Sequence, residues 1–148
     1  MSILRPALIA CSAALALGVA SPAFSADKVV YFPLAQAVKD ATAEGKLDGS
    51  VKFYLAGSGP SGRIVKSGAV TNKKSNAFAK SDEKACLWTA QSALIQLQQA
   101  AKDAGANAVT GITSYYKKKV YKNPKNFECH VGAIMAGVAL RGNLAIVK

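Results

Sequence analysis

The chain reads as an α+β protein, a small and largely antiparallel sheet with one long helix packed on one face. Three features point there. One strongly amphipathic stretch between Ser81 and Gly105 has helical spacing, and short β-branched and aromatic runs lie on both sides of it. An apolar fraction of 51% against 18% charged residues supports a packed core, and 148 residues leave room for one domain.

The first 25 residues read as a cleavable export signal. MSILRPA supplies a short n-region with Arg5, and Leu8 to Ala20 is an apolar h-region. That run is shorter than the roughly 20 residues needed to span a bilayer. Ser21 and Pro22 break it, and Ala23-Phe24-Ser25 matches the small-x-small pattern that places cleavage between Ser25 and Ala26. Leu8-Ile9-Ala10-Cys11 also matches a lipobox, but a lipobox follows the h-region, and here most of the apolar segment comes after Cys11. The expectation is therefore a periplasmic domain over residues 26–148 without a lipid on Cys11, and not transmembrane once the signal is removed.

Within that domain Lys28 to Phe32 has strand composition. Pro33 then opens a helix with Leu34, Ala37, Val38 and Ala41 at helical spacing, ended by Gly45. Val51 to Leu55 alternates as a second strand. Gly57 to Gly62 is a turn or loop, Arg63 to Val70 a hairpin return, and Thr71 to Lys80 a polar surface loop. Ser81 is a good helix N-cap, and Asp82 and Glu83 complement the positive end of the helix dipole. Leu87, Ala90, Leu94, Leu97, Ala101 and Ala104 form the apolar stripe, with Cys86 on its flank and Gln91, Gln98 and Lys102 as polar positions; Gly105 ends the run. Ala108 to Tyr116 follows as a strand, Lys117 to Asn126 as a connection with a turn at Asn123-Pro124, Phe127 to Leu140 as one long strand, and Asn143 to Val147 as a short last one.

Charge and cysteine content narrow the chemistry. Nineteen Lys and Arg face eight Asp and Glu. With Arg5 in the leader, eighteen basic against eight acidic residues leave the mature chain at +10, an excess that favours anionic partners. Cys86 and Cys129 are the two cysteines left after export, and an oxidising compartment pairs them as a disulfide. No CxxC occurs, so neither a zinc knuckle nor a thioredoxin-type motif is available.

Two stretches carry a resemblance. Ser81-Asp82-Glu83-Lys84-Ala85-Cys86 runs to Gly105-Ala106-Asn107-Ala108-Val109, and Phe127-Glu128-Cys129 leads into the Gly/Ala-rich strand Gly132 to Gly142. Together they resemble a family of small exported bacterial proteins whose members are often labelled excinuclease (ATPase) subunits. More distantly, residues 81–142 resemble the RcsF envelope-stress lipoproteins and the YbjQ-like metal-binding domains, in which such a helix leads into a strand of a small sheet. The RcsF-like pattern implies a helix Cys joined to a strand Cys, which suits Cys86 and Cys129; that family's second disulfide has no counterpart here. The excinuclease label does not suit the residues. The one Gly-rich segment, Gly57 to Gly62, continues as Arg63-Ile64 and lacks the Lys-Ser/Thr pair of a phosphate-binding loop, so no nucleotide partner is expected.

The remaining candidates are few. Adjacent residues on a strand point to opposite faces, so Cys129 would share a face with Val131 and Met135, and His130 with Ile134 and Val138. A single His offers too few ligands for zinc, and no acid–base pair or Ser-His-Asp set can be assembled. No catalytic, cofactor-binding or metal-ligating residues are therefore assigned. Tyr115 to Lys122 interleaves aromatic and basic residues, and Lys117, Lys118, Lys119, Lys122 and Lys125 are the candidate anion-binding set. The competing reading makes them guards of an exposed sheet edge. The expected function is a non-enzymatic envelope binding or interaction protein meeting an anionic envelope component or an acidic protein rather than nucleic acid. The alternatives are a YbjQ-type metal-binding domain and a hydrolase.

Overall fold

Apolar alternation and helix capping, taken along the chain, give the following order in a computed structural model that describes residues 27–148. The leader at 1–25, the bond between Ser25 and Ala26, and Cys11 lie outside the described residues. Lys28–Pro33 is β1, and Leu34–Ala43 is α1. Pro33 stands at the N-cap of α1, where its missing N–H costs nothing, and Leu34 N–H bonds the Lys125 carbonyl at 3.1 Å. Lys52–Leu55 is β2 and Arg63–Asn76 is β3. Asp82–Asp103 is α2, with the Ser81 hydroxyl accepting from Lys84 N–H. Ala108–Ser114 is β4, Asn126–Val131 is β5 and Met135–Ile146 is β6.

The strands form one sheet in the order β1-β5-β6-β4-β2, with β3 also paired to β6. Only the β2–β4 pairing is parallel, and the fold is α+β as expected. β6 organises it. β3 follows one edge of β6 over nearly its whole length, while β5 and β4 divide the other, β5 at Ala136–Gly137 and β4 from Leu140 to Ala145.

Three expectations are corrected. Thr71 to Asn76 is not loop but the second half of β3, paired residue by residue with β6 as far as Asn76 opposite Met135. Its polar side chains are used: Thr71 donates to Gln96 at 2.6 Å, and the Ser75 hydroxyl bonds that of Thr89, both on α2. Phe127 to Leu140 is not one strand. A turn after Val131, closed by Gly132 N–H to the Met135 carbonyl at 2.8 Å, separates β5 from β6, and Asn143–Ile146 is the end of β6 rather than a separate strand. Finally, Gln91 and Gln98 are buried, not solvated. The α1–β2 connection lies over them: Gln91 accepts from Lys46 Nζ at 3.0 Å, Gln98 accepts from Asp48 N–H at 3.1 Å, and Lys102 pairs with Asp48.

The core forms where α2 meets the sheet. Ala90, Leu94, Leu97 and Ala101 are fully buried as the stripe requires, against Val109, Ile112, Val138, Leu140 and Leu144. Cys86 is itself fully buried, and its sulfur stands at disulfide bonding distance from that of Cys129 on β5. The bond ties the first turns of α2 to the β1–β5 side of the sheet. At the other end of β6, Gly142 lets β4 approach closely: a Cβ there would sit 2.7 Å from Val109 Cγ1 and 3.1 Å from Ile112 Cγ1.

Two stability outcomes are expected. Closing a loop of 43 residues restricts the unfolded chain by about 4 kcal/mol in the chain-entropy description. Cys86→Ser and Cys129→Ser should each lower Tm distinctly, and protein denatured without reductant should titrate no free thiol; two free thiols there would refute the pairing. Gly142→Ala inserts a methyl group against branched side chains and should cost about 1–3 kcal/mol by urea unfolding.

Candidate functional site

The outer face of β5, away from α2, carries the polar cluster. Phe127, Cys129 and Val131 point into the core, so Glu128 and His130 between them point outward. His130 lies opposite Val29 of β1 on one side and Gly137 of β6 on the other. The turn at 132–134 resets the alternation expected for a continuous strand. Val138 is fully buried on the face shared with Cys129, and Met135, expected beside Cys129, is 41% exposed.

His130 Nε2 pairs with Glu128 Oε1 at 2.6 Å, and both side chains are mostly buried. The Tyr116 ring stacks on the imidazole with centroids 3.6 Å apart and planes 14° from parallel. Gly137 makes room for this, because a Cβ there would stand 3.0 Å from Tyr116 Cε2. Tyr116 Oη donates to Asp27 Oδ2 at 3.4 Å. Partial burial, reinforced by the Asp27 carboxylate, pushes the Tyr116 phenol above its ordinary range, so it remains a neutral donor at physiological pH. A second aromatic contact, Tyr31 with Tyr121 at 4.8 Å and planes 36° apart, lies along the same face, since Tyr31 is opposite Glu128.

Between these aromatic pairs the chain makes a short arm. Ser114 and Tyr121 exchange both backbone hydrogen bonds, at 2.9 and 3.0 Å. The intervening residues turn through Tyr116–Lys119, closed by Lys119 N–H to the Tyr116 carbonyl at 3.0 Å. The middle residues, Lys117 and Lys118, both have left-handed backbone, with φ of 51° and 63°. Two consecutive left-handed residues make a tight hairpin turn that normally carries Asn or Gly. Here lysines occupy it, both exposed, with Lys117 Nζ 5.6 Å from the centre of the Tyr116 ring.

The five expected lysines do not form one group. Lys117, Lys118, Lys119 and Lys122 belong to the arm and are exposed, and none of them forms an ion pair among the described residues. Lys125 is held elsewhere: its carbonyl caps α1 at Leu34, and its side chain lines a groove beside that helix. None of the five lies on β1, β2 or β3, the strands at the free edges of the sheet; four of them lie on the arm closed by the Ser114–Tyr121 bridge. Among the described residues no three His, Cys, Asp or Glu side chains gather as a metal-binding group. No described helix is long and apolar enough to cross a membrane. Sequence reasoning missed the partners of the arm. The aromatic–basic interleaving was visible, but the aromatic pairs depend on which face of β1 and β5 lies beneath.

No protein-family model, curated protein or solved structure matches this chain.

The turn geometry predicts a trade of stability against charge. A left-handed residue other than Gly costs roughly 1–2 kcal/mol, of which about 0.5–1 kcal/mol is offset when Gly adds freedom to the unfolded chain. Lys118→Gly should therefore raise unfolding stability by up to about 1 kcal/mol while removing a positive charge from the tip. A clear loss of stability by denaturant titration would show that the lysine side chain, not the backbone, holds the turn.

Proposed function

We propose that this is an exported, non-enzymatic binding protein of the cell envelope, which uses the Lys117–Lys122 arm to hold an anionic envelope surface. One observation carries the reading: four lysines without an ion pair among the described residues lie on a short arm braced by one stacked and one tilted aromatic pair, three of them consecutive around a turn unfavourable for lysine. A strained backbone is retained where the surrounding structure holds it in place, and such positions concentrate at functional sites. Here the left-handed turn places Lys117 and Lys118 at the exposed tip, with Lys117 Nζ 5.6 Å from the centre of the Tyr116 ring.

Export is supported by the n-region, h-region and small-x-small order of residues 1–25 and by the Cys86–Cys129 pair, a pairing that persists in oxidising compartments. Tyr31, Tyr116 and Tyr121 supply apolar rings with polar tips beside the charges, a combination suited to the headgroup region of a membrane. Val120, 61% exposed at the arm, adds an apolar contact.

Lys117→Gln, Lys118→Gln and Lys119→Gln combined should weaken binding to vesicles containing anionic lipid. At about 1 kcal/mol for each lysine near such a surface, the loss is on the order of a hundredfold. Binding of the unaltered protein should fall as salt shortens the Debye length below about 10 Å. Tm should hardly move, because exposed charges contribute little to stability. Co-sedimentation with anionic and purely zwitterionic vesicles reads the effect; equal binding by the triple variant at low salt would remove the arm from the mechanism.

A further inference from the structure

We propose that the groove between α1 and β2 binds a single-chain anionic amphiphile, its hydrocarbon lying along Val38 and Phe53 and its carboxylate held by Lys39 and Lys125. Leu34 and Leu55, both buried, form the floor of a cavity of about 370 Å³ that Val38 and Phe53 also line, with Lys39 and Lys125 among its other lining residues. A second cavity of about 220 Å³ continues from it, sharing Val38 and Phe53 and reaching Lys52. Two spaces that meet at the same pair of side chains make an elongated trough rather than a round pocket. The larger falls within the roughly 300–1,000 Å³ usual for small-molecule sites.

The charge of the trough selects the occupant. Three lysines line the two cavities and no carboxylate does. None of Lys39, Lys52 and Lys125 forms an ion pair among the described residues, although the acids nearby in sequence are engaged: Asp40 accepts from Gln36 Nε2, Glu44 pairs with Lys46, and Asp48 with Lys102. A neutral hydrocarbon would leave the ammonium groups unused, and a cationic amphiphile would be repelled. A carboxylate on a straight chain satisfies both halves of the site. The fold keeps it open, because the helix–sheet core is closed by α2 while α1 packs mainly on α2 and leaves Phe53 on β2 only half covered.

This site is separate from the arm and does not rest on the function proposed for it. The test is calorimetric titration of the disulfide-bonded protein with octanoate, decanoate and dodecanoate below their micellar concentrations, with decanol and decyltrimethylammonium as comparators. Carboxylate affinity should rise about threefold to fourfold for each added methylene. Lys39→Gln with Lys125→Gln, both exposed positions whose change leaves the core intact, should weaken decanoate about tenfold and leave decanol unchanged. Phe53→Ala should weaken both. The Lys117, Lys118, Lys119→Gln variant should bind decanoate as the unaltered protein does, which separates this site from the arm. Absence of decanoate binding at millimolar concentration overturns the proposal, as does equal binding of decyltrimethylammonium or an unaffected Lys39, Lys125 double variant. A flat chain-length series would also overturn it, and would point to a peptide along the free edge of β2.

Discussion

β6 has to supply backbone partners to three strands at once, and most of the architecture follows from that. One of its edges is filled by β3, and the other is divided between β5 and β4. In the segment Met135-Ala136-Gly137-Val138-Ala139-Leu140, Ala136, Val138 and Leu140 face α2, while Met135, Gly137 and Ala139 face outward, with the small Gly137 and Ala139 at its centre. Gly137 then accommodates Tyr116, and Gly142 accommodates Val109 and Ile112. The small outer residues are thus what allow the Tyr116–His130 stack to lie close to the sheet.

The disulfide complements this arrangement. β5 shares only two residue pairs with β6, so the β1–β5 pair is weakly joined to the rest of the sheet by backbone alone. Cys129 lies on that pair and Cys86 on α2, so the covalent bond fastens the part of the sheet that hydrogen bonding holds least. It also fixes the platform under the arm, because Glu128 and His130 flank Cys129 on the opposite face. Core stability and presentation of the aromatic pairs are therefore linked through one residue of β5.

How far the chain could be read in advance depends on how local each determinant is. α2 was legible because its cap, its apolar stripe and its terminal glycine all lie within it. The pairing of Cys86 with Cys129 was legible by count and compartment. The second half of β3 was not, since Thr71, Lys73, Lys74 and Ser75 look like loop until β6 and α2 supply partners. Gln91 and Gln98 misled in the same way: their burial depends on a connection some fifty residues upstream. The break between β5 and β6 was hidden in a run of Gly and Ala compatible with strand throughout. The lysines of the arm were visible, but their left-handed backbone and the separation of Lys125 from the rest are products of tertiary contact. The trough beside α1 left no mark in the pattern, because Val38 and Phe53 read as ordinary half-buried residues of a helix and a strand.

The distribution of acids explains why so much positive charge remains available. Among the described residues all eight Asp and Glu have local tasks. Asp82 and Glu83 occupy the first turn of α2, where Asp82 also pairs with Lys28. Glu44 and Asp48 secure the connection over Gln91 and Gln98, and Asp48 is held well below the usual carboxylate range by Lys102 and by the Ser50 hydroxyl and N–H. Asp40 and Asp103 accept from glutamines one helical turn away, Glu128 pairs with His130, and Asp27 accepts from Tyr116. Each carboxylate orders a loop, a helix end or a ring, and none lies against the arm lysines or lines the trough. Salt screens the exposed excess from itself over distances beyond about 10 Å, so the fold tolerates it at little cost. Neutralising the arm internally would require withdrawing a carboxylate from one of these tasks, so among the described residues these lysines are left to solvent and salt.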